Sequence, residues 1–456
     1  MPRRRAPVRG RRRSPVPGGC PAIRSGRRPG PRGRRRQPGG RRPGVAGAVA
    51  ARSLSCPRRW HTAAPDDGPI RRGTSTMEME TFDLERQQSL WEHRVDINLS
   101  ESGVEPLTLA GLAALGLDLD GLHSVPLEYI QSNGTPELRS QLAGHYAGAT
   151  IEHLLVTTGS AEANYVAVQV LVGPADEVVA IVPNYLQVGL AARGLGAAVR
   201  DIPLLPGADE STWSLDWDAF EDAVGERTKL IYLSHPNNPT GHVFTPSELD
   251  RIAAAAERVG AWVLSDEVYR GAVHDLAPGE ETPGMWGRGE RVVAVSSLSK
   301  AYGLPGARLG WMAGPPEFVE RCWARRDFTT IAPAALSDPI ARFATEPSNQ
   351  ERLFERARRM MRTNRATFRD WTRRQNGAIA YREPRAGAYG FVPLLEDGRP
   401  ADCAAFAERL RRNRSVLLVA GRWAGMPGYL RFGLGVEPEA FAEGLHRVEL
   451  ELRDGG

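Results

Sequence analysis

From about residue 125 the chain alternates short apolar, β-branched runs with longer stretches whose apolar positions recur at helical spacing. HLLVTTG, EVVAIVPN, TKLIYLSHP, AWVLSDEVY, RVVAVSSLS and ARLGWMAG are too continuously hydrophobic for half-exposed strands, and they predict a parallel sheet covered on both faces. AEANYVAVQVLV, SELDRIAAAAERV and PPEFVERCWARR predict helices between or after them, so the expected fold class is α/β. Residues 350–375 predict one long charged helix. AIAYREPRAGAYGFVPL and SVLLVAG then predict strands of a smaller α+β domain. The expected division is an N-terminal segment of the small domain at 77–124, a large domain at 125–340 and the rest of the small domain at 341–456. No internal repeat is visible.

Charge splits the chain at a different place. Residues 1–76 hold 21 arginines, no lysine and two acids, Asp66 and Asp67, for a net charge of +19; the remaining residues carry −14. Proline and glycine interrupt the basic segment so often, and apolar residues are so few, that it cannot offset its ordering entropy with a buried core. The expectation is a disordered extension. It reads as an upstream extension from a misplaced start codon, since ordinary composition begins abruptly at Met77; a targeting peptide and a basic nucleic-acid-binding arm are the alternatives.

No stretch approaches the roughly 18 apolar residues needed to span a bilayer. Four cysteines, Cys20, Cys56, Cys322 and Cys403, have no metal-like spacing, which predicts no metal site and a cytoplasmic protein.

Lysine usage singles out one position. Among 59 basic residues only Lys229 and Lys300 are lysines. A guanidinium stays protonated, whereas a lysine amine can lose its proton and condense with an aldehyde. Lys229, at a strand entry, reads as an ordinary solvated lysine. Lys300 ends a strand inside SSLSKAYGLPGARLGW, where Ser297, Ser299 and Arg308 have the makings of a phosphate site. In VTTGSAEANY the amides of Ser160 and Ala161 open a helix and would face an anion, although Gly-Ser before a helix is also an ordinary cap. Asp266 and Tyr269, after the strand AWVLSD, could tune an aromatic ring nitrogen and a phenolic oxygen; alone they also fit a solvated strand end. SHPNNPTG could, by itself, be a turn.

Together these segments resemble the fold-type I aminotransferases of classes I and II. NNPTG, then SDEVY with Asp266 28 residues after Asn238, then SLSK with Lys300 34 residues further, then Arg308, keep the family's order and spacing across Met77–Gly456. The resemblance implies pyridoxal 5′-phosphate as cofactor, joined to Lys300 as an aldimine, and transfer of an amino group between an amino acid and a 2-oxo acid. It implies that Asp266 pairs with the ring nitrogen, that Asn238 and Tyr269 bind the phenolic oxygen, and that Tyr185 stacks on the ring. Ser160, Ala161, Ser297 and Arg308 are implied to hold the phosphate. Tyr129 is implied to reach the phosphate of a second subunit, making a homodimer. Arg431 in YLRFGLG is implied to bind the substrate carboxylate, and Gly103 in SESGVEP to let backbone approach the substrate. The family's Pro-Gly near the substrate appears here as Ala420-Gly421.

SSLSKAYGLPGARLGW and SESGVEPLTL are also similar to the capreomycidine synthase branch of this superfamily, which eliminates and recyclizes its substrate. Elimination, cyclization or lyase chemistry is therefore the alternative on the same fold. A sensor with the basic tail as a DNA-binding module is a further alternative, although residues 1–76 lack the periodicity of a recognition helix.

Overall fold

The computed structural model describes residues 79–454 apart from 208–211, 277–279 and 397. The basic segment and its expected disorder lie outside the described residues.

The centre is an eight-stranded sheet. Its strands are β1 (Leu154–Thr157), β2 (Glu177–Val182), β3 (Ala198–Pro206), β4 (Trp213–Leu215), β5 (Thr228–Ser234), β6 (Trp262–Asp266), β7 (Val292–Ser297) and β8 (Gly310–Ala313). They lie in the order β1-β8-β7-β6-β5-β2-β3-β4. The links β3 to β2, β2 to β5, β5 to β6 and β6 to β7 are parallel. Strand β8, one of the apolar runs expected in the sheet, runs antiparallel to both its neighbours, so the sheet is mainly parallel, as expected, with its edges mixed. Between Ser297 and Gly310 there is only the 3₁₀ turn Pro305–Ala307, with no crossover helix to carry the chain back to the starting edge.

The apolar runs alternate between two cores. Leu230 and Tyr232 face one side with Val178, Leu264, Val293 and Phe318; Ile231 and Leu233 face the other with Val179, Val263, Leu249 and Ile252. Both faces of β5 are thus removed from water, each such side chain contributing about 1.5–3 kcal/mol. Truncating Ile231 to alanine is expected to cost about 2–5 kcal/mol.

Seven helices matter here: α1 (Asp83–Trp91), α2 (Ser160–Leu171), α3 (Pro246–Val259), α4 (Pro316–Arg326), α5 (Pro347–Arg373), α6 (Cys403–Arg414) and α7 (Pro438–Asp454). Helix α3 shows how sequence sets its limits. Thr245 and Glu248 cap its first turn reciprocally, and Gly260 ends it in the left-handed region at φ 70°. The expected long charged helix is α5, 27 residues long.

A second, three-stranded antiparallel sheet has β9 (Tyr389–Pro393) and β10 (Val419–Ala420) on either side of β11 (Tyr429–Gly433). Ile97 and Leu99 of the N-terminal segment pack into the core of this part, with Phe432, Phe441 and Val448. Leu99 O accepts from Gly433 N at 2.6 Å, so residues 100–103 pass directly from that sheet to the carboxyl ends of the large one.

Candidate active site

Because β1, β2, β5, β6 and β7 point the same way, their carboxyl ends present Gly159, Tyr185, Asn238, Asp266 and Lys300 along one edge. The reversed β8 begins at that edge, which is how Arg308 arrives there.

The start of α2 is shaped as an anion cradle. Gly159 has φ 80°, and a Cβ on it would lie 2.7 Å from Nη2 of Arg308. A Cβ on Gly310 would lie 2.6 Å from Ser160 N, so glycine at both positions lets guanidinium and strand close on the helix terminus. Arg308 itself sits at φ 46°, a conformation that costs a non-glycine residue about 1–3 kcal/mol and is found at ligand clamps. Behind the cradle, the Glu162 carboxylate accepts from Thr158 N at 2.6 Å and from Arg326 Nε at 3.2 Å. Burial works to raise that carboxyl, but these donors with Thr329 and Thr330 hold it below its ordinary value. Arg326 is fully buried and also donates to Ser132 O, whereas its neighbour Arg325 is exposed.

Asp266 is buried at the end of β6. Its Oδ2 accepts from Asn164 Nδ2 at 2.7 Å. Burial raises the Asp266 carboxyl to about 6, with the Asn164 bond pulling the other way. Tyr269, also buried, donates its hydroxyl to Ser102 Oγ at 2.9 Å. Tyr185 donates to Glu85 Oε1 of α1 at 2.8 Å. Asn238 Oδ1 accepts from Arg431 Nη1 at 3.0 Å, and Arg431 Nη2 donates to Ser100 O at 2.6 Å. Nε of Arg431 is buried without a partner.

Lys300 lies 3.7 Å from Glu101 through Nζ and Oε2. Burial pushes the amine down, but Tyr269 and Glu101 outweigh it and hold the ammonium form above its ordinary range. A Cβ on Gly103 would stand 3.3 Å from Ser299 O and 3.7 Å from Lys300 Cδ, so the N-terminal segment packs directly on the lysine.

Lys300 and Glu101 line one cavity of about 230 Å³ with Ser102. Of the residues expected from sequence, Ser160, Ala161, Tyr185, Asn238, Asp266, Tyr269, Lys300, Arg308 and Arg431 are on its wall. Ser297 is buried at the end of β7, where Oγ accepts from Ser299 N at 3.3 Å, and Ser299 is the serine on the wall. Tyr129 stands away from this chain's cavity, 82% exposed. Sequence reasoning missed Asn164, Ser102, Glu101 and Gln88. Asn164 was findable, since it follows Ser160 by four residues and so shares its helix face; the others carry no motif.

The residues fit pyridoxal phosphate. The cradle made by two glycines has the shape and donors to suit a phosphate, the unpartnered Nε and the forked Nη groups of Arg431 suit a carboxylate, and the buried aspartate suits a ring cation. Residues 119–448 match the family described as "Aminotransferase class I and II". The chain is 30% identical to a capreomycidine synthase of Streptomyces vinaceus, over 84% of its own length and 96% of that protein's. A solved PLP-dependent aminotransferase from Streptococcus suis superposes with a TM-score of 0.75 at 28% identity, covering 83% of this chain and 98% of that one. The PLP-dependent cyclase OrfR does so with 0.74 at 26%, covering 85% and 100%. Fold, site and sequence agree, and the chain belongs to the class I and II aminotransferases, a family of enzymes that work with pyridoxal 5′-phosphate.

Proposed function

We propose that Lys300 carries the cofactor and that the enzyme moves an amino group from an amino acid to a 2-oxo acid, with each wall residue in the role its chemistry suits. The observation that carries this reading is the convergence of Lys300, Asp266, Arg308 and Arg431 on one cavity. Bound pyridoxal phosphate supplies an electron sink that acidifies the amino acid's α C–H bond.

The chain does the rest. Amides of Ser160 and Ala161, with Arg308 and Ser299, hold the phosphate at the positive end of α2; Ser297 acts from behind by fixing Ser299. Asp266 holds a proton on the ring nitrogen, and Asn164 fixes which carboxylate oxygen faces it. Asn238 has its oxygen committed to Arg431, so its amide N–H groups are left to meet the phenolic oxygen alongside the Tyr269 hydroxyl. Tyr185 supports the ring face. Arg431 grips the substrate carboxylate and Gly103 gives it room. Lys300 would hold the cofactor and, through Nζ, would take the proton from the substrate α-carbon and hold it for return. Leu84 and Gln88 of α1 help exclude water from the cavity.

The functional unit in this reading is a homodimer. Leu127 and Tyr129 are 84% and 82% exposed, and Phe328 is 83% exposed. Ser132 ties the two segments together, since its hydroxyl accepts from Trp323 Nε1 at 2.8 Å and its carbonyl from Arg326. A second copy covers this apolar face and receives Tyr129 at its phosphate. Cys322 and Cys403, buried and unpaired, support a cytoplasmic setting.

One observation favours a second reading, elimination or cyclization: the similarity to a capreomycidine synthase and to a cyclase structure. Incubating the holoenzyme with single amino acids separates the two. Stoichiometric bleaching of the cofactor colour with release of a 2-oxo acid is the transamination result; retained colour with a dehydrated or ring-closed product is the other.

A further inference from the structure

The cavity's charges do not balance once the proposed roles are assigned. Its cations are Lys300, Arg308 and Arg431, which serve proton transfer, phosphate and substrate carboxylate. Its anions are Asp266, committed to the ring nitrogen, and Glu101, which the reaction does not use. We infer that Glu101 selects amino acids whose side chain carries a positive charge. This rests on the reading above, in which Lys300, Arg308, Arg431 and Asp266 are already committed.

Glu101 is held so that its carboxylate stays on the wall. A Cβ on Gly433 would lie 2.4 Å from Glu101 O, so β11 presses directly on its backbone. Gln88 Nε2 donates to Ser100 O at 3.2 Å and faces Glu101 Oε1 at 3.4 Å. Lys300, then opposed by burial, draws its carboxyl below the ordinary range, so it is an anion at neutral pH. That pairing does not survive the reaction. Lys300 must become a neutral amine to take a proton from the α-carbon, and Arg431 is neutralised by the incoming carboxylate. Glu101 then faces the cavity without a counterion.

The surrounding field has the same sign. Glu85 stands on the Tyr185 hydroxyl, and the carboxyl of Glu92 is raised by its burial and by Glu101 and Glu85. A substrate ammonium or guanidinium relieves this imbalance. A dicarboxylic donor aggravates it, and among the described residues of this chain no further lysine or arginine lines the cavity to receive its second carboxylate. At about 4 Å and an effective dielectric constant near 20, one such contact is large enough to set preference.

The test uses the full-chain holoenzyme with ornithine, lysine, norleucine and glutamate as donors. The wild type is expected to favour the cationic donors over norleucine at least tenfold in kcat/KM, with glutamate poorest. In Glu101→Gln the ratio of ornithine to norleucine falls about tenfold and that of glutamate to norleucine rises; Glu101→Asp lies between. Unchanged ratios, or a parallel loss for every donor, would overturn the inference and leave Glu101 as a positioning residue for Lys300. Thermal-shift titration of the same proteins reads binding without turnover. Ornithine binding that depends on Glu101 while no donor bleaches the cofactor supports the selectivity and removes the aminotransferase reading.

Discussion

Arg431 on β11 and Asn238 after β5 are joined by a 3.0 Å hydrogen bond from Nη1 to Oδ1, which ties the small sheet to the large one at the wall of the cavity. The bond fixes the guanidinium plane, and planar bidentate recognition of a carboxylate depends on that plane.

Arg431→Lys is therefore expected to lower kcat/KM for every amino donor by about 10²-fold, mostly through KM, since an ammonium keeps the charge but loses the fork. Asn238→Ala is expected to cost roughly tenfold by leaving a buried guanidinium less constrained. Steady-state kinetics on two unrelated donors measures both. A loss confined to one donor contradicts an α-carboxylate role.

Asp266 predicts a pH dependence whose sign follows from its raised carboxyl, about 6 against an ordinary 3.8. A carboxyl raised on folding favours the folded state while protonated, so in the cofactor-free protein this contribution is full below pH 4 and is lost as pH rises through 6. Asp266→Asn, which does not titrate, should gain on the wild type by on the order of 2 kcal/mol between pH 4 and pH 7. Adding cofactor places a cation beside the carboxylate and should reverse the ranking at pH 7. Chemical denaturation at both pH values, with and without cofactor, reads the gap; a gap that ignores pH would remove the buried-carboxylate account.

Gly159→Ala places a methyl group against the Arg308 guanidinium in a left-handed backbone position. Cofactor affinity is expected to fall at least tenfold, and added inorganic phosphate should protect the variant less than the wild type. Equilibrium dialysis with pyridoxal phosphate measures the first and thermal shift with phosphate the second. Unaltered affinity would place the phosphate elsewhere.

Tyr129 gives a test of the dimer that depends on geometry alone. If it serves the partner's site, Tyr129→Ala and Lys300→Ala chains mixed into heterodimers rebuild one site with both residues intact. Half of the wild-type activity per heterodimer is expected, from two parents that are each impaired. Absence of recovery in a verified heterodimer contradicts the shared site.

Much of this was legible in the chain because the strands of the sheet centre are covered on both faces, and such strands announce themselves as unbroken apolar runs. β3 and β4 escaped notice: β3 exposes residues such as Ala198, Arg200 and Asp201, and β4 is three residues long, so neither forms such a run. The reversal of β8 was hidden because hydrophobicity records burial and not direction. At the site, Lys300, Asp266, Asn238 and Arg308 stand in local motifs at strand ends. Glu101 and Ser102 meet Lys300 and Tyr269 across separations of well over a hundred residues, which no spacing rule encodes. Nothing in the sequence marks Arg326 as buried, because its partner Glu162 lies equally far away.

The most direct test of the central claim is where the cofactor attaches. The sequence offers one lysine besides Lys300, Lys229, so the answer is close to binary. Wild type and Lys300→Ala, both loaded with pyridoxal phosphate, would be compared by visible absorption, reduced with borohydride, digested and mapped by mass spectrometry. A yellow wild type carrying the reduced cofactor on Lys300, beside a variant with no such label, is the predicted result. A protein that stays colourless with added cofactor, or a label found on Lys229 and not on Lys300, would contradict it.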